Sequence, residues 1–472
     1  MQLSQRPRFV LGISSLLALA VVASIVIVVF PYWRPDYWRN KSALEERLKT
    51  AAAQGTPVRF SDLAVSDPAG IELAKQLSKE LKKVVPIPDE LLEPAYNSDS
   101  QMQMMTSSEE NPQTAEPAPV VSSSPKLSKA QKNSLRKYIE RNEAIVARID
   151  ALKPLSACRF IYDTETPSPM GILLPHIDGL NQLLPIYRAK FILAAEDQDA
   201  QAAFESTIDI LESSECLAKD SFLVCQLVRI RTGEEALENL LQVMQMTNLS
   251  EEQFLATDAL LQKVESEFRL KDCLISEAAM CFTSLENIAH PLNRENLLSM
   301  VDHRVDGTHS RIAHSRVNLW TSLAYQPHVM AQQLWVLNNT GELAKLVDEP
   351  GPEATASWTK ATQSTSEYID QNREEAIASF YPAVESLRRY AFRYRHQLLL
   401  SRIALRLDRY YAQEGYFPND LTQVIDNTLP TLPNNLWTDE AVQYKCEEGT
   451  CELSYNYFNG QEIDTVSITL TK

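Results

Sequence analysis

Glycine is scarce in this chain. It supplies 12 of 472 residues, about 2.5% against an average near 7%. No two glycines stand as G-x-G, and none precedes a lysine. This removes the dinucleotide-binding fingerprint and the phosphate-binding P-loop. The nucleophile elbow G-x-S-x-G is absent, as is the metalloprotease motif H-E-x-x-H. The glycine-rich loops need residues that take φ > 0 and let backbone N–H groups approach an anion closely. Scarce glycine also suits a helical chain, because glycine in a helix costs about 1 kcal/mol relative to alanine. Cationic charge is short too. Lys and Arg number 45 against 62 Asp and Glu, a net charge of -17. Phosphate neutralisation needs net cation, so bulk nucleic-acid binding is excluded. Cysteine is absent before Cys158, which excludes a lipoprotein anchor, and C-x-x-C does not occur.

Against these absences stands one long apolar run. Phe9 to Phe30 carries no charge over 22 residues. At 1.5 Å per residue it reaches roughly 33 Å, enough for a bilayer core of about 30 Å. Arg6 and Arg8 precede it, and Tyr32, Trp33, Tyr37 and Trp38 follow as an interfacial belt. A cleaved signal peptide has a shorter apolar region that ends in small residues. This run ends in Val28-Val29-Phe30-Pro31, so the reading is an uncleaved signal anchor. Arg34, Arg39 and Lys41 lie just beyond the span and weaken the positive-inside signal. The rest of the chain, without Arg6 and Arg8, carries -19.

Cys446 and Cys451 flank the turn-like Glu447-Glu448-Gly449-Thr450, between two alternating segments. This places them across a short hairpin, either as a disulfide, which implies an oxidising compartment, or as reduced thiols on neighbouring strands. With the anchor, the cysteines favour a short cytoplasmic tail and a large body outside the cytoplasm.

The expected organisation follows: tail 1–8, transmembrane helix 9–30, juxtamembrane helices 31–96, disordered linker 97–125, helical domain 126–393, and an α+β unit 394–472. In the juxtamembrane part, Ser42-Ala43-Leu44-Glu45 reads as a capping box. The linker, rich in Ser, Pro, Gln and Met, holds too little apolar surface to offset ordering entropy. From Lys126, Leu135, Ile139, Ile145, Ile149 and Leu152 recur at helical spacing beside a basic face. Leu183 to Glu215 reads as a helical hairpin broken at Asp197-Gln198-Asp199. Gly233–Met246 with Ser250–Leu270 reads as a second pair, started by a Ser250/Gln253 box. Stacked hairpins of this kind resemble solenoids, but no strict repeat period exists. Cys216, Cys225, Cys273 and Cys281 either pair or serve as small buried hydrophobes.

Two clusters invite a site. His303, Asp306, His309 and His314 are metal-ligand types, but Arg304, Arg311 and Arg316 crowd them. The sequence therefore assigns no metal, no cofactor and no catalytic residue. Arg388, Arg395, Arg402 and Arg409 recur every seven residues. On a helix they share one face, a cationic stripe for an acidic partner or a face paired with local carboxylates.

The end of the chain alternates as strands: Val442 and Tyr444; Cys451, Leu453, Tyr455 and Tyr457; Val466, Ile468 and Leu470. A helix of about Tyr394–Gln413 before them makes an α+β unit. Gly415-Tyr416, Pro418, Leu421, Leu432-Pro433 and Leu436-Trp437 carry a resemblance. The stretch Leu405–Tyr457 resembles the C-terminal unit of a group of large, uncharacterised bacterial membrane-anchored proteins. That unit is similar to the globular part of type II secretion pseudopilins. Leu436-Trp437 stands where the family usually has Asp-Pro-Trp or Asp-Pro-Phe. The calcium loop of pseudopilins has too few carboxylates in Tyr457–Asp464, and the pilin cleavage motif is missing, so the chain is not itself a pseudopilin. The resemblance implies a bacterial inner membrane with the body in the periplasm. The functional expectation is a mainly α, single-pass interaction or scaffold protein with a protein partner. Beside it stand an envelope enzyme or small-ligand binder with a site assembled from distant residues, and an accessory part of a secretion or pilus-like assembly.

Overall fold

Local signals set most helix starts. The computed structural model describes residues 35–63, 67–88, 91, 127–163, 172, 174–289, 319–372, 381–447, 449–458 and 463–472. Helix α1 spans Pro35–Ala53. Ser42 therefore lies mid-helix, and the box expected at Ser42/Glu45 does not start it. Gly55 ends the segment at φ 65°, a left-handed conformation that favours glycine. Helix α2 (Pro68–Leu81) is capped by Asp67, which accepts from the Gly70 N–H. Helix α3 (Lys129–Asp150) begins with a reciprocal Ser128/Gln131 box.

The first hairpin is present. Helix α4 (Pro175–Glu196) turns through Asp197–Asp199 into α5 (Ala200–Ser214), capped by Asp199. The two pack along their lengths. The basic face of α3 is solvated and paired: Lys132 reaches Glu196 at 3.1 Å, and Arg136 reaches Asp197 at 2.7 Å. Gly179 lets α4 approach α2, since a Cβ there would sit 2.7 Å from the Leu81 Cβ.

The second expected pair separates. Helix α6 (Leu223–Met246) packs on α5, while α7 (Glu251–Ser266), started by the Ser250/Gln253 box, packs on a later helix. That helix is α11 (Tyr381–Glu414), which also packs along α6. Gly233 of α6 lies directly against the Tyr394 ring of α11. Between them in sequence come α8 (Leu270–Ala289), α9 (Leu319–Leu346) and α10 (Pro352–Asn372). The start of α8 is capped from a distance: Asp348 accepts from the Leu270 and Lys271 N–H groups, each at 3.0 Å. Helices α8 and α9 pack together, and α1 lies on α9.

Strands β1 (Gln443–Glu447), β2 (Thr450–Phe458) and β3 (Ile463–Thr471) form an antiparallel sheet in that order. Cys451, Leu453, Tyr455, Val466, Ile468 and Leu470 face the core, as the alternation predicts. The fold is thus mainly helical with a small C-terminal sheet.

One hydrophobic cluster runs from Phe60 to Leu470 and includes α11, β2 and β3. The expected boundary at residue 393/394 therefore divides neither the helix nor the core. Small satellite clusters join α1, α8 and α9 through Leu44, Val58 and Phe282 and through Cys281, Leu285 and Val336. Among the described residues no helix is long and apolar enough to cross a membrane. Residues 9–30, 97–125 and 303–314, on which the anchor, linker and histidine readings fall, lie outside the described residues.

Candidate functional sites

The arginine stripe does share one face of α11, but most of that face is turned inward, and only Arg409 is substantially exposed, its side chain at 35%. Arg388 is fully buried, Arg402 is 4% exposed, and the Arg395 side chain is 15% exposed. The Arg402 Nε donates to Asp258 at 2.8 Å and its Nη2 to the Thr428 carbonyl at 2.9 Å. Arg406, one turn on, donates to both Asp258 oxygens at 2.9 and 2.8 Å. Arg409 meets Glu251 at 2.8 Å, and Arg395 lies 3.9 Å from Glu265. These carboxylates all come from α7. Arg393 adds a forked contact to Glu234 of α6, at 2.8 to 2.9 Å. The stripe therefore joins α11 to its neighbours and is not an exposed docking surface. The physical reason is the acidic surplus, which places carboxylates of α7 opposite Arg395, Arg402 and Arg409.

Electrostatics follow the pairing. Burial alone would raise the Asp258 carboxyl, but hydrogen bonds from Arg406 and Arg402 hold it down at about 2. Among the described residues, Arg388 meets no carboxylate in this way. It donates to the Glu349 carbonyl at 2.7 Å and to Thr355 Oγ1 at 3.2 Å. Its guanidinium lies over Phe392, Trp437 and Trp358, at 4.3, 4.9 and 5.8 Å from their ring centres. Burial lowers this group to about 10.

Cys446 and Cys451 stand directly opposite each other in β1 and β2 and form a disulfide, with Cα atoms 4.1 Å apart. Tyr444 Oη lies 3.3 Å from Cys451 Sγ. Cys158, Cys216, Cys225, Cys273 and Cys281 are buried and free. The outer face of the sheet carries an open depression lined by Lys445, Glu447, Thr450, Glu452 and Thr469. Its side chains are polar and of mixed charge, with Lys445, Glu447 and Glu452 exposed and the two threonines half-buried.

A third cluster escaped the sequence reading. His176, in the first turn of α4, Asp220, just before α6, and Cys225, in the first turn of α6, meet in the interior. His176 Nε2 is 3.1 Å from Asp220 Oδ2 and 3.7 Å from Cys225 Sγ. Tyr162 donates its hydroxyl to the same Asp220 oxygen and lies 3.5 Å from the same ring nitrogen. Phe160 stacks on the imidazole at 3.9 Å. The carboxylate and thiol both address Nε2, so the arrangement lacks the base-and-orienter order of a nucleophilic triad. Burial, reinforced by Asp220, also pushes the Cys225 thiol up, which suppresses the reactive thiolate. The residues are 44 and 5 positions apart in sequence, so no spacing motif marks them. Only the helix starts, Pro175 and Leu223, hint that they share one end of a helical layer.

Comparison with protein-family models, curated proteins and solved structures finds no match to this chain.

Proposed function

We propose that this chain is a single-pass, membrane-anchored scaffold whose helical body faces the bacterial envelope and holds a protein partner. The Cys446–Cys451 disulfide carries the reading, because such a bond persists in an oxidising compartment. The apolar run Phe9–Phe30 supports the anchor, with Arg6 and Arg8 on the cytoplasmic side. The pairing of buried arginines with α7 and α6 carboxylates supports a structural rather than catalytic use of its charges. Stacked helical layers offer extended surfaces for a partner.

The test has two arms. Alkaline phosphatase fused after residue 472 is active only outside the cytoplasm, and activity is expected. A fusion active only in the cytoplasm would overturn the orientation. Crosslinked, detergent-solubilised chain, purified through a tag, should carry one near-stoichiometric partner. A partner-free chain would instead favour a small-ligand binder. A second reading, an accessory component of a secretion or pilus-like assembly, draws support from the packing of α11 on β2 and β3. It predicts co-fractionation with secretion machinery, and failure to co-fractionate would remove it.

A further inference from the structure

Three donor side chains, Tyr162, His176 and Cys225, converge on buried Asp220. Its Oδ1 accepts from the Phe222 N–H at 3.2 Å, and its Oδ2 receives the Tyr162 hydroxyl. If His176 Nε2 carries a proton for Oδ2, it cannot also accept from Cys225. If Nε2 is bare, its lone pair faces a carboxylate oxygen 3.1 Å away. One imidazole nitrogen has either a proton or a lone pair, never both. Asp220, His176 and Cys225 are 6%, 3% and 0% exposed, so three metal-ligand types meet away from bulk water.

We propose that His176 Nε2, Asp220 Oδ2 and Cys225 Sγ bind one structural zinc ion, with the Tyr162 hydroxyl beside the fourth position. The three donor atoms lie within 4.8 Å of one another. Tetrahedral zinc, with Zn–N and Zn–O near 2.0–2.1 Å and Zn–S near 2.3 Å, sets N···O at about 3.4 Å and S···N at about 3.6 Å. The observed 3.1 and 3.7 Å need adjustments of only a few tenths of an ångström. On binding, the Cys225 thiol and any Nε2 proton are released, and thiolate plus carboxylate balance the two charges of the ion. Among the described residues, the groups that bear most on Cys225 are Asp220, Cys273 and Cys216, none of them cationic. The nearest buried guanidinium on α6, Arg229, is held by Glu215 through two 2.8 Å bonds. Phe160 on one side and the Tyr162–Phe222 edge contact on the other make a dry shell that fixes the ring. The ion would clamp the starts of α4 and α6 to the loop that carries Tyr162.

Detergent-solubilised full-length chain, stripped by chelator and reloaded with zinc, should retain close to one zinc per chain and gain thermal stability. Cobalt in its place should give an intense thiolate-to-cobalt charge-transfer band. Cys225→Ser should abolish that band, and Cys225→Ser or His176→Gln should weaken zinc binding by at least about a hundredfold, the upper end of what outer hydrogen-bonding residues cost. Cys281→Ser, at a free buried cysteine on α8, should change neither. X-ray absorption on zinc-loaded wild-type chain reads the ligands without a variant, so a misfolded variant leaves the test intact. One sulfur with imidazole nitrogen is expected. Absence of retained zinc together with absence of the cobalt band overturns the proposal and leaves a hydrogen-bonded cluster. So does zinc whose shell lacks sulfur, or zinc held equally by folded Cys225→Ser and His176→Gln.

Discussion

Asp258 accepts four hydrogen bonds, three of them from buried guanidiniums, and its removal should be severe. It accepts from Arg402 Nε at 2.8 Å, from Arg406 Nη1 and Nη2 at 2.9 and 2.8 Å, and from Thr428 Oγ1 at 2.9 Å. The Arg402 and Arg406 side chains are only 5% and 2% exposed. Asp258→Ala leaves two buried guanidiniums without their shared anion. Breaking a buried pair typically costs about 3–5 kcal/mol. Here Asp426 still meets Arg406 at 3.2 Å, and Glu265 lies 3.8 Å from Arg402. These remaining contacts place the expected loss toward the lower end, about 3 kcal/mol. Urea unfolding followed by far-UV circular dichroism measures it. The triple change Asp258→Leu, Arg402→Met, Arg406→Met removes all three charges and should recover most of the loss. The pH dependence has a definite sign. The folded carboxyl is held down at about 2, below the ordinary aspartate value of about 3.8. Its contribution is therefore fully present above about pH 4 and lost as pH falls toward 2. A loss below about 1 kcal/mol for Asp258→Ala, or a triple variant no better than the single one, would refute the reasoning.

Gly233→Ala drives a methyl group into the Tyr394 ring and should cost about 1–3 kcal/mol in the same assay; adding Tyr394→Leu should return part of it. Cys446→Ser opens a loop of sequence separation 5, and chain-entropy scaling gives a loss of about 2 kcal/mol. Reductant should reproduce that loss in the wild type and change nothing in the variant. Burial and the neighbouring Arg395 lower His396 to about 3, and its Nε2 accepts from the Leu436 N–H at 2.8 Å. The unfolded chain thus binds this proton first, and stability should fall as pH drops from about 6.5 toward 3. The slope approaches about 1.4 kcal/mol per pH unit once the unfolded histidine is mostly protonated. His396→Gln should flatten that part of the stability–pH curve.

Local signals were the legible part of the fold. The Ser250/Gln253 box, the break at Asp197–Asp199 and the strand alternation at Cys451–Tyr455 each depend on neighbours a few residues away. The sequence shows these directly, because caps, turns and pleats are short-range. The failures are long-range. Ser42 and Glu45 have the box pattern, but the helix already runs from Pro35, about two turns upstream. The α6/α7 pair has the length and turn of a hairpin, yet α7 finds a better partner in α11, whose arginines match Asp258, Glu265 and Glu251. Heptad spacing placed the arginines on one face correctly. It could not tell whether that face meets water or carboxylates, since both keep the same period. His176, Asp220 and Cys225 were invisible for a related reason: helix starts far apart in sequence bring them together, and no motif spans that distance.

The burial of the stripe has a consequence for how the C-terminal sheet is held. A small three-stranded sheet is marginal without a helix to cover it. Helix α11 covers β2 and β3, and its other faces are committed to α6 and α7 through Tyr394, Arg393 and Arg402. The sheet is tied in again at its far edge. Lys472 Nζ donates to Asn248 Oδ1 at 2.8 Å and to the Met244 carbonyl, and pairs with Asp408 of α11. Asp408 in turn accepts from the Leu249 N–H at 3.2 Å, in the turn between α6 and α7. One lysine and one aspartate therefore join the last strand, α11 and the α6–α7 turn. Because these contacts share one core, the segment from residue 394 onward should not fold as an isolated unit. Its apolar face, Tyr394, Leu398 and Ile403 included, is completed by residues that precede it by more than a hundred positions.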